Sequence, residues 1–115
     1  MGGVTPQRSE VYYAHLDPVV GHEQGGTRLV LVVSADEFNA GTAELVMVVP
    51  LTTRRRRIAS RVTVEPPEGG VSRTSQVRCE DIRSISKQQL AGRLGAVSGD
   101  TMARVEEILR TLMGL

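Results

Sequence analysis

Leu29-Val30-Leu31-Val32-Val33 is an unbroken aliphatic run, and Leu45-Val46-Met47-Val48-Val49-Pro50-Leu51 is a second one close behind it. β-Branched residues at this density favour extended chain, and a run without polar alternation predicts a strand covered on both faces. Leu29–Val33 is therefore read as the central strand of a sheet. In the second run Pro50 lacks a backbone donor, which predicts a sheet edge or a strand end. Between the runs, Ser34 to Asn39 can form a single helical turn, and Asn39 to Thr42 turns the chain back.

Outward from this pair, Val11 to Leu16 reads as the first strand, ended by Asp17-Pro18. Residues 19–27 carry Gly21, Gly25 and Gly26 among polar neighbours, the composition of a loop that lets backbone approach a ligand. Downstream, Arg61-Val62-Thr63-Val64-Glu65 alternates like a half-exposed strand and closes on Pro66-Pro67-Glu68-Gly69-Gly70. Gln76 to Glu80 and Ile82 to Ile85 form a last extended region, with a bend expected between them. The period then changes: Met102, Val105, Ile108 or Leu109, and Leu112 recur at helical spacing, with Ser98 as N-cap and Gly114 as stop. Glu106 and Arg110 are ordered for an i,i+4 pair on the wet face. Short strands followed by one helix predict a mainly β (α+β) fold, a small curved barrel with a C-terminal amphipathic helix beside it. Residues 1–9 are expected to be a flexible lead and 10–115 a single domain.

At 115 residues the core is near the low end of what folds alone, so self-association is expected to help. Tyr12, Tyr13 and Phe38 are the only aromatic residues, so the core is aliphatic and a broad stacking platform is excluded. Tyr12 and Tyr13 fall on opposite faces of one strand. Net charge is only +1, so affinity for nucleic acid must come from how charge is arranged. The arrangement is uneven, because Arg54 to Arg57 are consecutive and follow Thr52-Thr53. Cys79 stands alone, which rules out an internal disulfide and is expected to be a small buried hydrophobe. The N-terminus lacks an apolar signal core, and Pro6 occupies the position where a myristoylation signal needs Ser or Thr. A cytoplasmic protein with no membrane partner is expected.

Taken as one unit, Asp17-Pro18-Val19-Val20-Gly21-His22-Glu23-Gln24-Gly25-Gly26-Thr27-Arg28 resembles the first loop of the MazF family of toxins, also called PemK or Kid. Further matches follow in order: Val30-Leu31-Val32, Pro50-Leu51-Thr52, and Glu80-Asp81-Ile82-Arg83-Ser84-Ile85. Two departures stand out. Leu29 replaces the family's usual proline, restoring a backbone donor and freeing φ, which loosens the loop without removing a reacting group. Arg8-Ser9-Glu10 replaces the family's usual opening with Arg-Gly and an acid.

The resemblance implies an SH3-like barrel, a homodimer, an antitoxin of the MazE kind, and cleavage of single-stranded mRNA at a short sequence without metal or other cofactor. It implies Arg28 and Thr52 as the catalytic pair, with Thr53 an adjacent alternative. His22, Glu23, Gln24, Thr53, Arg54, Arg55, Glu80 and Asp81 are the implied RNA contacts. Chemistry gives these residue types a purpose. When a ribose 2′-OH attacks its neighbouring phosphate, charge develops on phosphate oxygens, the nucleophile loses a proton and the leaving 5′-oxygen gains one. A guanidinium fork matches phosphate geometry and a threonine hydroxyl adds a donor. Arginine stays protonated near neutral pH, so electrostatic stabilisation is its expected role, and the base is left open among His22, Glu23 and substrate-bound water.

Each residue also has a bland reading. Arg28 by itself is a solvated loop charge, Thr52 a common strand ending, and the arginine run a solvated loop. His15 is structural or surface, and a single loop histidine such as His22 is more often exposed than catalytic. Glu23, Gln24, Glu80 and Asp81 can equally bond within their own loops. Two rival functions remain: a toxin of the same fold, like CcdB, that binds a topoisomerase and cuts nothing, and a non-catalytic single-strand binder, for which stacking aromatics are scarce.

Overall fold

The computed structural model describes residues 5–16 and 26–115. Seven strands, β1 (Glu10–Leu16), β2 (Gly26–Val32), β3 (Leu45–Thr52), β4 (Arg61–Val64), β5 (Ser75–Arg78), β6 (Arg83–Ser86) and β7 (Leu90–Ala96), form an antiparallel sheet in the order β4-β5-β3-β2-β1-β7. β6 pairs with β3 off this path. The described residues also form two α-helices, the short α1 (Asp36–Asn39) and the C-terminal α2 (Gly99–Met113). The fold is mainly β, as expected.

The two aliphatic runs occupy the middle of the sheet and bury both faces. Leu31, Val49 and Leu51 join Val11, Val62, Val64, Val77 and Cys79 in one cluster, which Met102 and Val105 of α2 cover. Val30, Val32, Val46 and Val48 join Tyr12, Ala14, Leu16 and Ile85 in a second. Full burial of an aliphatic side chain contributes about 1.5–3 kcal/mol, so unalternated valines are what a two-faced interior strand requires. Cys79 is fully buried, and burial pushes its thiol up to about 11, which keeps it protonated and inert.

Pro50 is placed differently from the expectation of an edge. β3 is interior, flanked by β2 on one side and by β6 and β5 in succession on the other. The Met47 carbonyl accepts from Val33 N–H, so alternate residues 47 and 49 face β2 while 48 and 50 face the opposite edge. There β6 pairs as far as Val48 and β5 begins at Leu51, so the proline's missing donor falls in the gap between two partners. The bend expected near residue 80 is a 3₁₀ turn over Cys79–Asp81, and it carries the chain from β5 to β6.

β7 was not legible in the sequence. Leu90-Ala91-Gly92-Arg93-Leu94-Gly95-Ala96 is poor in strand-forming residues, yet it pairs along β1. The second of its two glycines serves a close approach: a Cβ on Gly95 would lie 2.7 Å from the carbonyl carbon of Gly69, in the 3₁₀ turn Glu68–Gly70 packed on the strand.

Arg8 and Ser9, in the segment before β1, bond to the body of the fold. Ser9 N–H donates to the Val32 carbonyl, the Ser9 carbonyl accepts from Val97 N–H, and Arg8 N–H donates to Asp36. Arg8 also pairs with Glu106, so that carboxylate bonds across the fold and not to Arg110 along the helix as its spacing suggested. α2 begins and ends as read: the Ser98 hydroxyl accepts from Thr101 N–H, and Gly114 caps the end with φ 72°.

Candidate active site

β2 and β3 bring together the residues the sequence singled out. Their ladder pairs Val32 with Val48, Leu31 with Val49 and Val30 with Pro50. The ladder ends at Val30 and Pro50, and two residues beyond that pair on the respective strands stand Arg28 and Thr52. Both side chains line an open depression of about 210 Å³, shared with Tyr13, Thr27, Leu29, Leu51, Thr53 and Ser75. Arg28 is exposed and Thr52 half-buried, so a guanidinium reaches solvent beside a hydroxyl held by the sheet. Leu29 lies in the β1–β2 ladder opposite Tyr13 and packs against the core.

The Thr52 hydroxyl oxygen accepts from Arg54 N–H at 3.1 Å. That bond occupies a lone pair and leaves the hydroxyl proton free to donate into the depression. It also turns the chain at the strand end into the exposed run Arg54 to Arg57. None of these four side chains is ion-paired among the described residues. Four guanidinium groups in sequence after the strand end make a local positive field that the near-neutral net charge conceals.

Glu80 and Asp81 are not brought to this depression. Arg61 holds Glu80 at 2.8 Å, the Ser60 hydroxyl donates to it at 2.7 Å, and Arg78 holds Asp81 at 2.6 Å. Burial pushes the Glu80 carboxyl upward, but the bonds from Arg61 and Ser60 outweigh it and keep its pKa below the ordinary range. His22, Glu23 and Gln24 lie outside the described residues, as does the turn at Asp17-Pro18. His15 is exposed, with Nδ1 3.0 Å from the Thr27 hydroxyl. Among the described residues no group of three acids, histidines or cysteines gathers as a metal site. A larger hollow, about 670 Å³, is lined by Pro6, Tyr12, Lys87 and Leu90 and, among the described residues, by none of the expected site residues.

Tyr13 and Gln76 were not singled out as site residues. With Tyr12 buried in the core, strand alternation turns Tyr13 outward to the rim of the depression, where it is 45% exposed. That signal was present in the sequence. Gln76 carried none, because its side-chain amide bonds to groups distant in the chain, the Arg56 backbone and Arg61.

The domain is mainly β, and an open cleft at the ends of two central strands is furnished with a guanidinium and hydroxyl groups. The chain belongs to the family of PemK-like, MazF-like toxins of type II toxin-antitoxin systems, whose pattern matches residues 7–113. It is 33% identical over 110 residues to Endoribonuclease EndoA of Bacillus subtilis (strain 168), covering 95% of both chains. A solved structure of MazF (Form-I) from Deinococcus radiodurans matches with a TM-score of 0.86 at 30% identity, covering 98% of this chain and 100% of that one. An endoribonuclease in complex with its cognate antitoxin, from a Mycobacterial species, matches with a TM-score of 0.77 at 32% identity over 96% of each chain. Among the described residues no helix is long and apolar enough to cross a membrane.

Proposed function

We propose that this toxin is a metal-independent, sequence-specific endoribonuclease that cuts single-stranded mRNA, acts as a homodimer and is held in check by a MazE-like antitoxin. The observation that carries this reading is that Arg28 of β2 and Thr52 of β3 line one open cleft. In the reaction the ribose 2′-oxygen bonds to the adjacent phosphorus as the bond from phosphorus to the 5′-oxygen breaks. The 2′-OH gives its proton to a base, and the leaving 5′-oxygen takes one up. Arg28 supplies a two-toothed donor to the non-bridging oxygens and Thr52 a third bond, both strengthening as charge develops. Tyr13 offers a face on which one unpaired base can stack, and Arg54 and Arg55 attract the phosphates on either side. His22, Glu23 and substrate-bound water remain the candidates for the base. The antitoxin reading rests on family membership and on the antitoxin complex formed by the mycobacterial relative.

The test uses purified protein and a long RNA in EDTA. Cleavage is expected to leave a 2′,3′-cyclic phosphate upstream and a free 5′-OH downstream, and one 2′-deoxy substitution at the cut site should block it. Arg28→Ala should lower the single-turnover rate by about 10²–10³, the range for a lost charge-stabilising donor, with Thr52→Val acting in the same direction but less. Both variants should bind the deoxy analogue with near-native affinity. Binding without cleavage points to the single-strand binder; neither binding nor cleavage points to a protein-targeting toxin. Normal cutting by Arg28→Ala removes the pair from the mechanism and makes His22 and Glu23 the residues to examine.

A further inference from the structure

The arginine run after Thr52 is exposed, yet its backbone is held at a defined place from below. Gln76, in the middle of β5, pairs through its backbone with Thr52 of β3 on one side and Thr63 of β4 on the other. Gln76 is 9% exposed, and its side chain reaches the loop. The amide oxygen accepts from Arg56 N–H at 2.9 Å, and the amide nitrogen donates to the Arg56 carbonyl at 3.2 Å. A side-chain amide thus pairs with one residue's backbone at two points, as a neighbouring strand would. The same amide oxygen accepts from Arg61 Nη1 at 3.4 Å, and the Arg61 side chain is itself buried and fixed by Glu80. Every bond that orients the Gln76 amide therefore comes from a group that is either backbone or locked.

We infer that Gln76 is a positioning residue for RNA binding, holding the 54–57 backbone so that its arginines meet phosphates beside Thr52. This rests on the proposed endoribonuclease reading. Among the described residues the loop has one other side-chain tie near the cleft, the bond from Arg54 N–H to the Thr52 hydroxyl. Ties at Arg54 and at Arg56 bracket Arg55 and fix the direction in which the run leaves the strand. Without the second tie the charges remain, but they are spread over many loop conformations, and ordering them on RNA subtracts from affinity. Because Gln76 lines no part of the depression itself, the loss falls on binding and leaves the chemistry at Arg28 and Thr52 in place.

The experiment compares wild type, Gln76→Met and Gln76→Glu. Methionine matches the length and volume of glutamine without hydrogen bonds; glutamate keeps the acceptor for Arg56 N–H but sets a carboxylate oxygen against the Arg56 carbonyl. KM for a short cleavable RNA should rise about three- to tenfold in Gln76→Met, with Gln76→Glu between it and wild type, at unchanged kcat. Trypsin nicking within residues 54–57 of the folded protein should quicken in the same order, a readout that needs no RNA. KM within twofold of wild type in both variants, or a fall in kcat at constant KM, overturns the inference. If Gln76→Met does not fold, Gln76→Glu decides by the same two measurements. Wild-type protein that cuts no RNA defeats the proposed function, whereas unchanged trypsin nicking defeats the positioning role.

Discussion

Arg28 and Ser9 show how much one backbone position can matter in this fold. Arg28 gains its place from register: a slip of one residue between β2 and β3 would turn it to the other face and part it from Thr52. Ser9 adopts φ 80°, the left-handed region that costs a residue with a Cβ roughly 1–2 kcal/mol. Its N–H and carbonyl are both committed, to Val32 and Val97, so the conformation cannot relax without losing two bonds. Ser9→Gly should therefore stabilise the protein by about 0.5–1 kcal/mol after the added freedom of the unfolded chain is subtracted. A thermal melt should show a midpoint higher by roughly 2–5 °C, and an unchanged or lower midpoint would mean that Ser9 is unstrained.

Among the elements, α2 depends on a contact the helix does not itself contain. Glu68, in the turn packed on β7, accepts from Ser98 N–H at 2.9 Å and from the Thr101 hydroxyl at 2.6 Å. The bonds from Ser98 and Thr101 outweigh the upward push of burial, and its carboxyl lies below the ordinary range. A depressed folded-state pKa stabilises above the unfolded value, about 4.3 for glutamate, and that stabilisation is lost as pH falls through the folded value. The wild-type melting midpoint should accordingly fall on acidification below that range, and Glu68→Gln should show a smaller fall over the same interval. Equal slopes in the two proteins would remove Glu68 from the acid response. The helix itself was legible because capping and apolar period are local. β7 was not, because its stability comes from β1 and from the turn that Gly95 admits.

For the molecule as a whole, the end of α2 leaves apolar surface uncovered: Leu112 is 52% exposed, Met113 55% and Leu115 81%. Beside it, a hollow of about 510 Å³ between β4 and α2 is lined by Val62, Ile108 and Leu112. A 115-residue chain with few aromatics gains from covering such surface, at about 25 cal/mol for each Å² of apolar area buried. Light scattering over a concentration series should give a dimer in the micromolar range, and a monomer throughout that range would count against the proposed assembly.

What the sequence by itself determined is local or periodic. The two aliphatic runs determined a two-faced central sheet, Ser98 and Gly114 the limits of α2, and the ordered motifs around Arg28 and Thr52 the family. Tertiary structure alone decided what depends on partners distant in the chain. It sent Glu80 and Asp81 to arginines on β4 and β5 and away from the cleft, gave Glu106 to Arg8, and put Pro50 in a gap between strands. It also joined Gln76 to the backbone of Arg56. The physical reason is common to all four: a period or a cap is read from neighbours along the chain, whereas the partner of a charge, an amide or a missing donor is set by the register of strands and the way the sheet curls.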